Sequence, residues 1–281
     1  MNIQFSIDNN QFNWVSQMSK KALVVDNDFF FVEFLTELLE KRGYEVIKAY
    51  DGKEGISKLE EESVDLLFVD LVMPKINGKQ FIKFTRKKFP DARFPIITIS
   101  GTLIEQLDGL NEIGADYYIA KGPMEQMADH VNKCMDRIEK QPFPPPNGED
   151  LLEPGKLYPR QATVELMDTV VFHQAVTESI GIGIIVVDRD ARIINANSLA
   201  LTIVNRSLEE ALNRPITAVF PKIEKAKVID ALKGVIQSEE SRKITFYSTI
   251  RSQNIRIIVS PLKIDGKIAG WIVAMEDTNN G

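Results

Sequence analysis

Four short apolar runs in the first half of the chain each end in polar side chains, and this pattern restricts the fold more than any other feature of the sequence. The runs are KALVVDND (21–28), VDLLFVD (64–70), FPIITISG (94–101) and ADYYIAKG (115–122). In the same order, the runs end in several acids, in a single acid, in a hydroxyl and in a lysine. Segments with a helical pattern lie between the runs. Such alternation is typical of a doubly wound α/β fold with a parallel sheet. The carboxyl ends of parallel strands share one edge, so we expect these polar groups to converge there.

Asp70 is the polar group with the clearest chemical role. It closes a buried strand, and Met73-Pro74 and Gly78 then turn the chain into a tight loop, because Pro fixes φ and Gly permits positive φ. The pattern predicts an exposed carboxylate on a rigid rim, as an aspartyl-phosphate nucleophile requires. Neighbouring acids would bind Mg²⁺ through oxygen. The Lys121 ammonium and the Ser100 hydroxyl would then contact a transferring phosphoryl group.

These four motifs, in this order, resemble the receiver domain of two-component response regulators over residues 19–140. The resemblance implies a flavodoxin-like fold with a doubly wound five-stranded parallel sheet, and Mg²⁺ as the cofactor. It also implies a role for each matching residue. These are Asp70 as the phosphoacceptor, Asp26 in the acidic pocket, Ser100 as the switch hydroxyl, Lys121 as the phosphate-pairing lysine, Tyr118 as the aromatic that moves with the switch, and the Val72 carbonyl in the metal shell.

The chain departs from the usual receiver pattern at three positions. The family usually has a second acid where this chain has Asn27, whose amide brings an oxygen without charge; Asp28 supplies an acid one position later. We therefore expect weaker Mg²⁺ binding, with Asn27 in the metal shell. Gly122 separates Lys121 from the proline that usually follows it. Val72 is apolar where the family tends to have polar residues that assist hydrolysis, so we expect a long-lived phosphoryl group.

The middle of the chain predicts a domain boundary. Residues 141–160 contain six prolines, and proline at this density excludes helix and central strand, so we expect a semi-rigid linker. A connecting helix is predicted over 161–180. Its apolar stripe either pairs with a second chain, giving a homodimer, or packs on its own domain; the stripe is Val164, Met167 and Val171. Residues 1–18 are expected to form a disordered leader.

The remaining residues, 181–281, predict an α+β domain. A hairpin over 183–197 precedes helices, and three strands follow, with Asp265-Gly266 as a two-residue hairpin turn. The segments GIIVVD, IINAN and MEDT, in this order of elements, resemble a PAS sensor domain over residues 170–278. The resemblance implies a five-stranded antiparallel sheet in a domain that often binds a ligand or dimerises.

The PAS ligand stays unknown, but two cofactors are not expected. The chain has two histidines, His130 and His173, and neither lies in the PAS helices, which argues against a histidine-ligated haem. No cysteine lies in this domain, which excludes cysteinyl-flavin chemistry. Asn195, Asn197 and Trp271 are candidate ligand contacts. Turn capping by the two asparagines and core packing by the tryptophan are the alternatives.

Composition excludes several other classes of function. The net charge is −6, with acids and bases interspersed, so no nucleic-acid surface is predicted. The chain has no run of 18 apolar residues, so no membrane span is predicted. The single cysteine, Cys134, lies on an apolar helical stripe and is predicted to be buried. One cysteine cannot form an internal disulfide, which fits a reducing, cytoplasmic location.

The sequence thus predicts a non-enzymatic signalling protein. A histidine kinase or phosphotransfer protein would phosphorylate Asp70, and the linker would relay that state to a PAS domain that dimerises or binds a ligand or partner. Two alternatives remain open. The chain is the input half of a larger sensor kinase or cyclic-nucleotide enzyme, or it is a scaffold that Asn27 has made insensitive to phosphate.

Overall fold

The computed structural model describes residues 20–91, 94–101, 113–122, 124–140, 150–152, 172–237 and 243–278. The predicted leader, the stripe at Val164, Met167 and Val171, and nearly all of a helix predicted at 103–113 lie outside these residues. Within the described part of the chain, no helix combines the length and the apolar composition needed to cross a bilayer.

The first domain is a parallel sheet with helices on its two faces. Its strands are β1 (Lys21–Val25), β2 (Glu45–Ala49), β3 (Leu66–Val69), β4 (Ile96–Ser100) and β5 (Tyr117–Ala120). Their order is β2-β1-β3-β4-β5, and every neighbouring pair is parallel. This confirms the flavodoxin-like prediction. Strands β1, β3, β4 and β5 are almost fully buried, which explains why they read as continuous apolar runs in the sequence, whereas the edge strand β2 is partly exposed.

A sixth strand, β6 (Asp150–Leu152), extends this sheet beyond the predicted five. It runs parallel to β5, with Tyr117 opposite Asp150 and Ile119 opposite Leu152. The strand comes from within the segment predicted as linker. A short strand at a sheet edge is compatible with an extended, proline-rich chain, and the sequence offered no alternation by which to recognise it.

Among the described residues of this domain, four helices accompany the sheet: α1 (Phe29–Glu40), α2 (Gly52–Glu61), α3 (Gly78–Lys88) and α4 (Met124–Lys140). Side chains that precede the first three accept hydrogen bonds from free N–H groups in the first turn. Asp28 caps α1, Asp51 caps α2, and Asn77 caps α3 in a capping box. Cys134 is fully buried on the inner face of α4, as predicted.

The second domain is an antiparallel sheet covered by helices. Its strands are β7 (Gly183–Asp188), β8 (Ile193–Ala196), β9 (Ile244–Ile250), β10 (Gln253–Ile264) and β11 (Lys267–Asp277), in the order β8-β7-β11-β10-β9. Residues 172–179 are helical and precede β7. The covering helices are α5 (Ser198–Val204), α6 (Leu208–Ala211) and α7 (Lys225–Gln237). This confirms the predicted α+β architecture.

Two tight turns connect the last three strands. Asp265 and Gly266 both have positive φ, 49° and 72°, as the predicted two-residue hairpin requires. Arg251 and Ser252 form the other turn with φ of 51° and 66°. These two residues carry no sequence signal for such a turn, because positive φ is costly for residues with a Cβ atom.

The two domains contact each other directly. Ile194 of β8 and Leu212 after α6 are buried in the same apolar cluster as Phe81 and Phe84 of α3. The PAS-like domain therefore packs on the α2–α3 side of the first domain. This contact was not predicted from the sequence. The apolar residues that form it occupy positions where packing within their own domain would also require an apolar side chain.

Candidate phosphorylation site

The ends of β1, β3 and β5 bring together Asp26, Asp70 and Lys121. The Asp70 main-chain N–H donates to the Val25 carbonyl over 2.9 Å, and the Lys121 N–H donates to the Ser100 carbonyl over 2.9 Å. Main-chain hydrogen bonds therefore fix each residue to the neighbouring strand. The side chains converge at the carboxyl edge of the sheet, as the strand pattern predicts.

The Lys121 ammonium links the two carboxylates. Its Nζ lies 2.7 Å from Asp26 Oδ2 and 3.2 Å from Asp70 Oδ2. It also lies 4.4 Å from the centroid of the Phe31 ring, close enough for a cation–π contact. One cation thus compensates two neighbouring negative charges. The role of Phe31 was not predicted, since a buried phenylalanine on a helix looks like an ordinary core residue in sequence.

Asp70 is more enclosed than the predicted exposed acid, with only 7% of its surface accessible. Its Oδ1 accepts a long hydrogen bond of 3.4 Å from the Val72 N–H. Burial raises the pKa of the Asp70 carboxyl, and nearby Asp26 raises it further, while Lys121 lowers it. The enclosure arises because α3 begins against this strand end. A Cβ atom on Gly78 would lie 2.2 Å from the Asp70 carbonyl oxygen, so the position accepts glycine alone.

Asp28 takes a structural position rather than one in the acidic pocket. Its Oδ1 accepts from the N–H groups of Phe30 and Phe31, and its own N–H donates to Asp26 Oδ1 over 2.9 Å. A carboxylate engaged in capping α1 does not replace the charge that Asn27 lacks. Asn27 itself is exposed.

The other predicted site residues lie around this centre. Ser100 ends β4 opposite Ala120 of β5 and is fully buried. Tyr118 is 1% exposed and packs in the apolar cluster beneath the strand ends. Val72 is 43% exposed beside Asp70. The structure thus places all seven predicted residues at one sheet edge or directly beneath it, while their chemical roles remain predictions.

The donor set fits Mg²⁺, though sparsely. Mg²⁺ is commonly bound by one or two carboxylates, with water and phosphate oxygens completing the octahedron. Asp26 and Asp70 supply two carboxylates, and Asn27 and the Val72 carbonyl supply neutral oxygen. Among the residues that the structure describes, no group of three acid, histidine or cysteine side chains is arranged to bind a metal.

The three candidate ligand contacts in the second domain have structural partners. Asn197 caps α5 by accepting from the Ala200 N–H over 3.0 Å. The Trp271 indole N–H donates to the Leu232 carbonyl over 3.1 Å in a packed core. Asn195 accepts from the Gln80 amide of the first domain over 3.3 Å. The contacts of Asn197 and Trp271 support the capping and packing interpretations, whereas Asn195 contacts the first domain.

Comparison with known proteins matches each domain separately. Residues 22–132 match the family model "Response regulator receiver domain", and residues 177–280 match the model "PAS fold". The alkaline phosphatase synthesis transcriptional regulatory protein PhoP of Bacillus subtilis is 40% identical over 106 residues, which are 37% of this chain and 43% of that protein. CpxR of Escherichia coli is 40% identical over 103 residues, 36% of this chain and 42% of that protein. The chain thus spans less than half the length of these relatives.

Solved receiver domains align with the same part of the chain. A response regulator receiver domain protein from Methanospirillum hungatei is 30% identical, with a TM-score of 0.36; the match covers 43% of this chain and 97% of that one. TrrA from Thermotoga maritima, solved in complex with Mg²⁺ and BeF, is 31% identical, with a TM-score of 0.36, and the match covers 41% and 97% of the two chains.

The strand order, the buried acids with their lysine, and the two family matches lead to one assignment. The chain combines an N-terminal domain of the response regulator receiver family with a C-terminal domain of the PAS fold.

Proposed function

We propose that Asp70 accepts a phosphoryl group from a histidine kinase or a phosphotransfer protein. The observation that carries this proposal is the Lys121 ammonium held between the buried carboxylates of Asp26 and Asp70. A lysine so placed meets the charge that a phosphoryl group would bring to Asp70. Two-component signalling by a receiver with a PAS partner domain is the function that this arrangement supports.

The proposed reaction is a direct transfer. A carboxylate oxygen of Asp70 attacks phosphorus, the bond from phosphorus to the donor imidazole nitrogen breaks, and that nitrogen keeps the electron pair and takes a proton from solvent. The product is an acyl phosphate on Asp70. Lys121 would offset the charge on the phosphoryl oxygens and Ser100 would donate a hydrogen bond to one of them. Tyr118 would move with Ser100.

Mg²⁺ would be bound by Asp26, Asp70, Asn27 and the Val72 carbonyl, and when bound it supplies positive charge beside the phosphoryl oxygens. With an amide at Asn27 instead of a second acid, affinity for the ion would be low. The apolar side chain of Val72 offers no polar group to guide a water molecule to the acyl phosphate. The phosphoryl state would therefore be long-lived.

The PAS domain is the proposed output. It would respond to phosphorylation by dimerising or by binding a ligand or a partner protein, rather than nucleic acid. A cytoplasmic location belongs to this proposal, because a chain with one cysteine has no internal disulfide and kinase donors of this type act inside the cell.

The test is intact mass spectrometry of the full chain after incubation with acetyl phosphate and Mg²⁺. We expect a gain of one phosphoryl group that depends on Mg²⁺, with an Asp70→Asn variant as the control. Omission of Mg²⁺ should remove most of the gain. Blocking the reaction at Asp70 should remove all of it.

Two results would contradict the proposal that Asp70 is the phosphoacceptor. No gain in mass at high Mg²⁺ concentration would make Asn27 decisive and favour a scaffold that does not respond to phosphate. A gain that persists in Asp70→Asn would move the acceptor to another residue.

A further inference from the structure

The contact between the two domains begins at the loop that follows Asp70. Residues 71–77 connect β3 to α3, and the first residue of α3, Gly78, lies against the Asp70 main chain. The same loop contacts the start of α2, where a Cβ atom on Gly52 would lie 2.3 Å from the Ile76 carbonyl oxygen. Lys75 Nζ donates to Asp51, the capping residue of α2, over 2.6 Å. This loop therefore sets the positions of both helix N-termini.

Both of these helices bind the PAS domain. On α2, Lys53 Nζ lies 2.5 Å from Asp188 and 2.5 Å from Asp190, in the turn between β7 and β8. Asp188 is only 8% exposed, so Lys53 is the cation that balances a largely buried charge. Burial lowers the pKa of Lys53, but its bonds to these two acids outweigh that effect and raise it. On α3, Gln80, which caps its own helix with Asn77, also donates to Asn195.

Further polar pairs extend the contact along the two helices. Glu60 near the end of α2 accepts from Arg214 over 3.1 Å. Lys87 near the end of α3 donates to Ser207 over 2.6 Å. The apolar contact of Ile194 and Leu212 lies between these pairs and excludes water from the centre. The arrangement of apolar core and polar rim is that of a specific interface.

We propose that the PAS domain senses phosphorylation of Asp70 through this α2–α3 interface, and that docking of the PAS domain holds the receiver in its unphosphorylated form. The proposal rests on the proposed function of Asp70 and assigns the relay to a direct contact instead of the linker. The loop that follows Asp70 contacts the Asp70 main chain on one side and the starts of both docked helices on the other, so a change at Asp70 reaches the interface. A partner that binds one conformation stabilises it at the expense of the other.

Linkage makes the coupling reciprocal. If a phosphoryl group at Asp70 weakens docking by a given factor, then loosening the docked PAS domain favours phosphorylation by the same factor. The route is short, because one loop lies between the acceptor and the two helices. Loosening the interface should therefore raise the fraction of receivers in the conformation that accepts a phosphoryl group, and with it the rate of phosphoryl gain, without any change in the residues that hold the phosphoryl group.

The experiment measures the rate of phosphoryl gain from acetyl phosphate and Mg²⁺ in the full chain. Lys53→Met, which removes both ion pairs to the PAS domain, should increase the rate by about fivefold, a typical allosteric coupling. Lys48→Met is the matched control, because it removes an ion pair between Lys48 and Glu33 inside the receiver. The control rate should equal that of the wild type.

Exchanging the charges of an ion pair distinguishes a loosened interface from a misfolded variant. Glu60→Arg alone places a cation beside Arg214 and Lys88, both of which pair with Glu60, and should speed phosphoryl gain. Adding Arg214→Glu restores an ion pair to the PAS domain and should bring the rate back towards that of the wild type, with Lys88 still facing a cation. Hydrogen exchange at residues 188–196 should become faster in Lys53→Met, and in the wild type after phosphorylation. Asp70→Asn treated in the same way should show no change.

The outcomes separate the two proposals. Normal phosphoryl gain in the wild type with unchanged rates in Lys53→Met and Glu60→Arg would overturn the coupling and leave Asp70 as the acceptor. Slower gain in both would reverse its direction and overturn the claim that docking restrains the receiver. No phosphoryl gain in any variant would overturn the proposed function itself, and the coupling with it.

Discussion

The two sheets of this chain use their interiors differently. The receiver sheet buries carboxylates at its edge, with Asp26 2% and Asp70 7% exposed, and holds them with one ammonium. The PAS sheet buries an apolar face built by Ile255, Ile257 and Val259, with outward residues between them. Burying charge is costly unless a partner compensates it. The buried acids of the receiver therefore indicate chemistry, while the buried side chains of the PAS domain indicate packing.

Removal of the Lys121 ammonium should have the largest effect, because it changes the charged edge of the receiver sheet and leaves the apolar face of the PAS sheet unchanged. Lys121→Met leaves Asp26 and Asp70 buried without a cation and removes the group that would meet the phosphoryl charge. We expect the rate of phosphoryl gain from acetyl phosphate to fall by about a hundredfold, as on removal of one charge-stabilising donor from an active site. Lys48→Met is the control and should keep the wild-type rate. A fall of less than threefold would remove Lys121 from the transfer step.

A substitution in the PAS core should lower the stability of the PAS domain without changing phosphoryl transfer at Asp70. Trp271→Phe removes the hydrogen bond to the Leu232 carbonyl and part of a buried ring. The free energy of unfolding of the PAS domain should fall by about 2 kcal/mol, measured in urea. The phosphoryl transfer activity at Asp70 should be retained under native conditions. Unchanged stability would mean that Trp271 serves a ligand rather than the core.

A substitution at the predicted metal site should strengthen binding, whereas the two substitutions above weaken activity or stability. Asn27→Asp adds a carboxylate beside Asp26 and should lower the apparent dissociation constant for Mg²⁺ by about tenfold, or about 1.4 kcal/mol. The measurement is phosphoryl gain as a function of Mg²⁺ concentration. Asp28→Asn is the control, because asparagine also caps a helix and the constant should stay the same. A large loss in Asp28→Asn would place Asp28 among the ligands.

The smallest expected effect lies in the turn between β9 and β10. Ser252 has a φ of 66°, which glycine adopts without the steric cost that a Cβ atom imposes. Ser252→Gly should raise the free energy of unfolding of the PAS domain by about 0.5 kcal/mol, after the entropy cost of glycine. Ser252→Ala keeps the Cβ atom and should not stabilise the domain. Equal effects of both variants would show that the turn is unstrained.

The sequence was most informative where one element determines its own structure. The strand at Tyr117–Ala120 lies within the apolar run at 115–122 that predicts it, because a parallel strand that is buried on both faces must be apolar along its length. The convergence of Asp26, Asp70 and Lys121 followed from the geometry of parallel strands alone.

The sequence was least informative where two distant elements meet. Nothing around Lys53 distinguishes it from other lysines on helix surfaces, yet it pairs with Asp188, 135 positions away. Asp28 illustrates a second difficulty, since an acid before a helix suits both a metal site and an N-cap. Only the hydrogen bonds to Phe30 and Phe31 distinguish the two.

The short strand β6 has a practical consequence for anyone dividing this chain into fragments. A receiver fragment that stops at residue 140, where its last helix ends, would leave the main-chain N–H and C=O groups of β5 unpaired along one side. Such an open edge pairs readily with another copy and promotes aggregation. A fragment that continues through Leu152 retains β6 and keeps this side of β5 covered. The useful boundary for expression therefore lies twelve residues beyond the end of α4.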